Sequence, residues 1–313
     1  MWVSTGLLLG LALAAGPALA QEHGSGAPAA EAGGGHEIDI QHHIGDSHEF
    51  EIPFVGTFEL PRFAPIHLGG VTIDLSPTKH LVFMLLSALI VGLVFVLSAR
   101  SIVRSQTRGR PATGFAGAME ATTLWIRQEV IMPTIGPHGD KFVPYLLTLF
   151  FFILTMNLFG LIPGGATATG NITVTAALAL IAFIVIEVTG MRTLGPKGYM
   201  GTIFYLPHGL PGGPGGAVLK VVLLAVLTPI ELIGKLAKPF ALAVRLFANM
   251  TSGHVLVLAL IGLTFLFQSY AVGLGASLLA TGVLLLELFV AFLQAYVFTL
   301  LTSVFIGLMR EAH

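Results

Sequence analysis

The chain has 313 residues, of which 55% are apolar and only 10% charged. Soluble domains carry about 25% charged residues, so this chain lacks the polar side chains to coat a water-facing surface of its size. A mean hydropathy of +0.88 points to lipid as the principal solvent. The net charge of −1 offers nothing to nucleic acid, and the absence of cysteine excludes disulfide and thiolate chemistry.

Charge is unevenly spread. Residues 1–78 hold nine acidic side chains and one basic one, Arg62, whereas residues 79–313 hold seven acidic and fourteen basic. Residues 1–20, a Leu/Ala/Gly run ending Ala18-Leu19-Ala20, read as a signal peptide with a small-residue cleavage site. No Lys or Arg precedes the run, and retention as an extra helix is the alternative. Residues 21–78 form an extracytoplasmic region. Its Gly/Ala/Ser-rich start is expected to be disordered. Alternation in His48-Glu49-Phe50-Glu51-Ile52 and Val71-Thr72-Ile73-Asp74-Leu75 predicts short strands.

The membrane body begins at Leu81–Ala99, an apolar run long enough to cross about 30 Å of hydrocarbon. Arg100, Arg104, Arg108 and Arg110 follow, which places that end in the cytoplasm. Residues 115–142 are mixed in character and are expected to lie as an amphipathic segment at the inner surface. Further spans are expected at Val143–Ile162 and Ile172–Met191, the latter followed by Arg192 and Lys197. The glycines and prolines of residues 207–216 lack a Walker pattern and a preceding strand, and read as a connection. From Ala217 to about Leu263 the chain reads as one helix, too long for a perpendicular span, with Pro229 and Pro239 as bend points. A last span covers Ala276–Leu308 and ends at Arg310. The expectation is an all-α polytopic membrane protein with about five crossings, its N-terminus outside and its C-terminus inside.

Ionisable groups in apolar spans are costly and usually face an aqueous path or a partner. Arg245 cannot release its proton; its fixed charge can hold a carboxylate ionised or block a file of protons. Glu231, fourteen residues earlier, lies about 21 Å away along a continuous helix, so a carboxylate from elsewhere is expected to answer Arg245, unless the arginine belongs to a structural ion pair. Folding the last two helices into a hairpin centred near residue 270 sets His254 opposite Glu287 and Arg245 opposite Gln294, if both arms rise equally. Glu287 and Gln294, seven apart, share a face. Asn249 lies one turn beyond Arg245. A His–Glu pair suits proton transfer; a fixed interhelical hydrogen bond is the plainer reading. Glu187 is expected to reach the membrane interface, and Lys235 and Lys238 to snorkel to inner headgroups. His36, His42, His43 and His48 lack the ligand spacing of a known metal site. No metal or cofactor is expected.

The stretches Pro229-Ile230-Glu231, Lys238-Pro239, Arg245-Leu246-Phe247-Ala248-Asn249-Met250, Gln294-Ala295-Tyr296-Val297-Phe298 and Met156-Asn157-Leu158 before Pro163 resemble the signature of subunit a of bacterial F-type ATP synthases. The likeness covers about residues 79–313 and is strongest at 229–254. It implies a noncatalytic, proton-translocating stator subunit in the cell inner membrane, with a c-subunit ring, a b-subunit peripheral stalk and the rest of the synthase as partners. It further implies that Arg245 faces the ring carboxylates, that Glu231 belongs to a cytoplasmic half-channel, and that Asn249, His254, Glu287 and Gln294 belong to a half-channel open to the outside. Some bacterial members carry Glu where this chain has His254 and His where it has Glu287. Two other functions were open to such a sequence. A proton-coupled secondary transporter should show inverted repeats, and none is visible. A haem-bearing anchor should show paired axial histidines, and only His254 lies deep in a span.

Overall fold

The computed structural model describes residues 49–52, 56–61, 66–68, 71–73, 76–162, 167–204 and 214–311. The signal-peptide and disorder readings, and the histidines at 36, 42, 43 and 48, lie outside these residues. Two antiparallel hairpins precede the helices: β1 (Glu49–Ile52) with β2 (Gly56–Glu59), and β3 (Ile66–Leu68) with β4 (Val71–Ile73). Both alternating stretches in the sequence thus contribute strands.

Seven α-helices follow among the described residues. α1 is Lys79–Thr107, α2 Gly114–Trp125, α3 Met132–Ile135, α4 Val143–Gly160, α5 Ile172–Ile203, α6 Pro214–Phe267 and α7 Tyr270–Glu311. Local chemistry sets several ends. The Thr78 hydroxyl accepts from the amide of Leu81 and opens α1, and Asn171 accepts from the amide of Thr173 at 2.9 Å to open α5, each satisfying a donor that the first turn leaves free. Within α5, Gly195 at φ +71° breaks the regular path just before Pro196, so the third apolar run continues past Met191 as a second, offset helical piece. α6 runs unbroken through Pro229 and Pro239 for 54 residues, about 80 Å.

Among the described residues four helices, α1, α4, α5 and α7, are long and apolar enough to cross a bilayer; the fifth expected crossing falls on α6. The fold is turned inside out relative to a water-soluble one. On α1, Leu85, Leu89, Leu93 and Leu97 project outward, each more than half exposed. Such a continuous apolar stripe would be a liability in water and is normal against lipid. The core is equally apolar, built from α4 and the inner faces of α5, α6 and α7 around Leu146, Ile153, Met156, Leu178, Leu246 and Phe298.

Residues 115–142 pack against the helical body. α2 continues through a π-helical turn, Ile126–Ile131, into α3. Ile126, Val130 and Ile131 are buried in the core, Trp125 stacks on Tyr296 of α7, and Thr134 hydrogen-bonds Ser303 at 2.5 Å. The sequence is amphipathic because one face packs on α7. The π turn adds a residue to the repeat and so brings two consecutive apolar side chains, Val130 and Ile131, onto the packed side together with Ile126.

Candidate functional site

α6 and α7 form an antiparallel hairpin joined at Gln268 and Ser269, the former at φ +46°. On α7, Glu287, Ala291, Gln294, Phe298, Thr302 and Ile306 are all buried, a 3.6-residue repeat that places one face of the helix inward. Glu287 and Gln294 share that face, as their spacing predicts.

Asn249 on α6 donates from Nδ2 to Oε1 of Gln294 at 3.0 Å. One turn further along α6, the carboxyl of Glu287 lies flat on Gly253: a Cβ there would sit 2.8 Å from its Oε1. Glu287 therefore reaches α6 at the residue preceding His254, which is half-buried. Gln294 finds Asn249 rather than Arg245, one helical turn from the equal-rise expectation. Between the two contacts α6 advances four residues while α7 retreats seven; the long side chains, not the backbones, close the difference.

Arg245 is exposed although Leu242 and Leu246 beside it are buried. Among the described residues no carboxylate lies within 4.0 Å of its guanidinium. Because α6 is continuous, Glu231 stays about four turns away. Lys238, Ala241, Ala248 and Ser252 are exposed on the same outward stripe as Arg245, so the charge stands on a face of mostly small side chains.

Toward α7 the surface beside Arg245 hollows. A depression bounded by Lys238, Ala241, Arg245, Leu301 and Phe305 shares Lys238, Leu242 and Phe305 with a neighbouring cavity of about 200 Å³. Glu187, Thr202, Glu231 and Lys235 line that cavity. Neither Glu187 nor Lys235 behaves as the sequence suggests. Glu187 is 9% and Lys235 7% exposed, and they approach at 3.8 Å. Lys235 donates to the Thr202 hydroxyl at 3.0 Å and sits 4.7 Å above the Tyr199 ring. The Tyr199 hydroxyl donates to Oε2 of Glu187. Of the two lysines, Lys238 is the exposed one, over the Phe305 ring. The Glu231/Lys235 spacing of four puts both on one face and was a usable signal. The partner on α5 has no sequence spacing to reveal it.

Asn157 is a second site the ionisable residues did not point to. Fully buried in α4, it donates to the carbonyl of Ala291 at 3.3 Å and accepts from Thr169 at 2.7 Å. It therefore ties α4 to the α7 segment between Glu287 and Gln294. No group of three or more metal-ligating side chains occurs among the described residues.

Residues 81–307 match the model of a protein family described as ATP synthase A chain. The chain is similar to ATP synthase subunit a of Chlorobium phaeobacteroides strain BS1, at 42% identity over 94% of this chain and 83% of that protein. It is similar also to the subunit a of Pelodictyon phaeoclathratiforme, at 44% identity over 88% and 76%, and of Anaeromyxobacter dehalogenans, at 39% identity over 93% and 75%.

Proposed function

The chain belongs to the ATP synthase A chain family, a membrane-sector subunit of the F-type synthase, and from that premise we propose that it is the stator that passes protons to and from a ring of c subunits. The observation that carries this reading is Arg245: a permanent cation, exposed in the middle of an apolar helix, with no carboxylate of the described chain beside it. A charge at that depth is retained only where a partner or an aqueous path answers it. The outward stripe of Ala241, Ala248 and Ser252 allows another helix to approach closely, and a ring helix bearing a carboxylate supplies both the contact and the counter-charge.

Two polar regions flank that charge. Asn249, Gln294, Glu287 and His254 form the entry side, open to the outside of the cell inner membrane. The cavity at Glu231 forms the cytoplasmic side. A proton passing His254 and Glu287 neutralises a ring carboxylate. The neutral acid can then turn through lipid, where a carboxylate would pay several kcal/mol in lost hydration. On returning, the acid meets Arg245, which favours its ionised form, and the proton leaves toward Glu231. Each proton crossing 100 mV contributes about 2.3 kcal/mol, so several must pass per ATP formed by the catalytic sector, and this chain is itself noncatalytic. The basic ends of α1, α5 and α7 support a cytoplasmic C-terminus, and in this reading the b-subunit stalk holds the chain against the turning ring.

Arg245→Ala tests this reading. Its exposed side chain leaves no buried group unpaired when removed, so the complex should assemble while proton-driven ATP synthesis in membrane vesicles is lost. Synthesis at the normal rate would overturn the assignment. A secondary transporter would instead show proton-coupled solute uptake in vesicles without the other synthase subunits.

A further inference from the structure

We propose that Glu187 is a second proton-accepting carboxylate on the wall of the Glu231 cavity, held in position by Lys235 and Tyr199; this rests on the reading of that cavity as a proton path. Two acids from different helices, Glu187 on α5 and Glu231 on α6, line one cavity of about 200 Å³, which has room for several water molecules. Burying a lysine and a glutamate is expensive, and a pair kept only to join helices is readily replaced by apolar packing. Here the pair borders a hollow that its polar atoms can hydrate.

The geometry divides the carboxylate into two ends. Oε2 of Glu187 takes the Tyr199 hydroxyl and faces Nζ of Lys235 at 3.8 Å. Among the described residues nothing donates to Oε1, the oxygen left for exchange. Lys235 is itself fixed by Thr202 and by the Tyr199 ring. A proton taken from cavity water binds Oε1 and later leaves to water. The Lys235–Glu187 pair passes from zero net charge to +1 and back, and Lys235 keeps its protons throughout. The remaining charged groups at the cavity are Glu231 and Lys238; the α7 wall contributes Phe305, Leu308 and Met309 and nothing titratable. Lys238 also borders the depression that reaches Arg245, so the cavity wall runs on to the stator charge.

The test uses the complete synthase in membrane vesicles, with passive proton conductance measured after the catalytic sector is stripped and normalised to the chain and ring present. Glu187→Gln should lower conductance on the order of tenfold, less than the full worth of a positioned proton carrier because water remains. Lys235→Met should lower it similarly, while Glu187→Asp and Lys235→Arg, which keep the charges, should recover most of it. Glu231→Gln is the reference. Glu187→Gln at the normal rate beside a slow Glu231→Gln overturns the inference and spares the cavity; both at the normal rate overturn the cavity reading as well. Because the chain has no cysteine, Thr202→Cys gives a readout that does not depend on the Glu187 variants assembling. Labelling by a charged thiol reagent is expected, and a thiol that water cannot reach would overturn the inference.

Discussion

Asn249 and Gln294 are joined by a 3.0 Å hydrogen bond across the α6–α7 hairpin, and the two ends of that bond are unequally sheltered. Gln294 is 4% exposed, whereas Asn249 is only half-buried. Removing either partner has different consequences. Asn249→Leu strands a buried amide oxygen and should cost about 1–3 kcal/mol, whereas Gln294→Leu leaves Asn249 within reach of water and should cost about 0.5–1.5 kcal/mol. The double variant should lose less than the sum of the two, because no polar group is then left unpaired. Thermal unfolding of the detergent-solubilised complex measures all three. Proton pumping separates stability from function: if both amides line the entry path, the double variant stays slow even as its stability recovers.

Gly253→Ala addresses the neighbouring contact. The added methyl would stand 2.8 Å from the Glu287 carboxyl, too close for the present rotamer, but the far end of a flexible side chain can move aside. The expected result is a chain that accumulates normally and pumps protons severalfold more slowly, because Glu287 is displaced from the His254 segment. Shortening the acid makes room, so Gly253→Ala with Glu287→Asp should pump faster than Gly253→Ala alone. Equal rates in the two would separate proton entry from this contact.

The helices were largely legible before the structure. Apolar runs bounded by arginines mark α1 and α5, and the seven-residue step from Glu287 to Gln294 assigns both to the buried face. Three features were hidden for one reason: contacts between distant helices leave no periodic trace. Gln294 meets Asn249 because side-chain length absorbs the unequal advance of the two arms. Glu187 is a lone charge in its apolar run and Lys235 has Glu231 and Lys238 as its charged neighbours in sequence, so only the fold reveals that Glu187 and Lys235 are partners rather than interfacial or snorkelling ends. The 115–142 segment has an amphipathic pattern that suits an interface as well as a packed helix, and nothing in that pattern reveals that its apolar face packs on α7 around the π turn.

Gly307→Ala is expected to be the most damaging small substitution on α7. A Cβ at Gly307 would run into the backbone carbonyl oxygen of Thr134 in α3, and backbone cannot rotate out of the way. The helices must separate, which strains the Thr134–Ser303 bond and the packing of Ile131 and Ile306 beside it. Overpacking of this kind costs about 1–3 kcal/mol. Immunoblots of membranes should show a sharp fall in the amount of the chain. Accumulation at the normal level would mean that α3 is not pressed against α7 in the membrane.

Ala248→Phe probes the outward stripe without touching any proton-carrying residue. Ala248 is exposed three residues beyond Arg245, so a larger side chain meets no neighbour within this chain and should leave its own stability within about 0.5 kcal/mol. A ring helix packed against the stripe would be held away from Arg245, and coupled ATP synthesis should fall steeply while the isolated chain remains folded. Arg245→Lys acts on the same contact from the other direction. It keeps the charge but gives up the planar fork that grips a carboxylate through two bonds, and synthesis should fail there as well. If Ala248→Phe synthesises ATP at the normal rate, lipid rather than a rotor covers this face, and the guanidinium must find its carboxylate elsewhere.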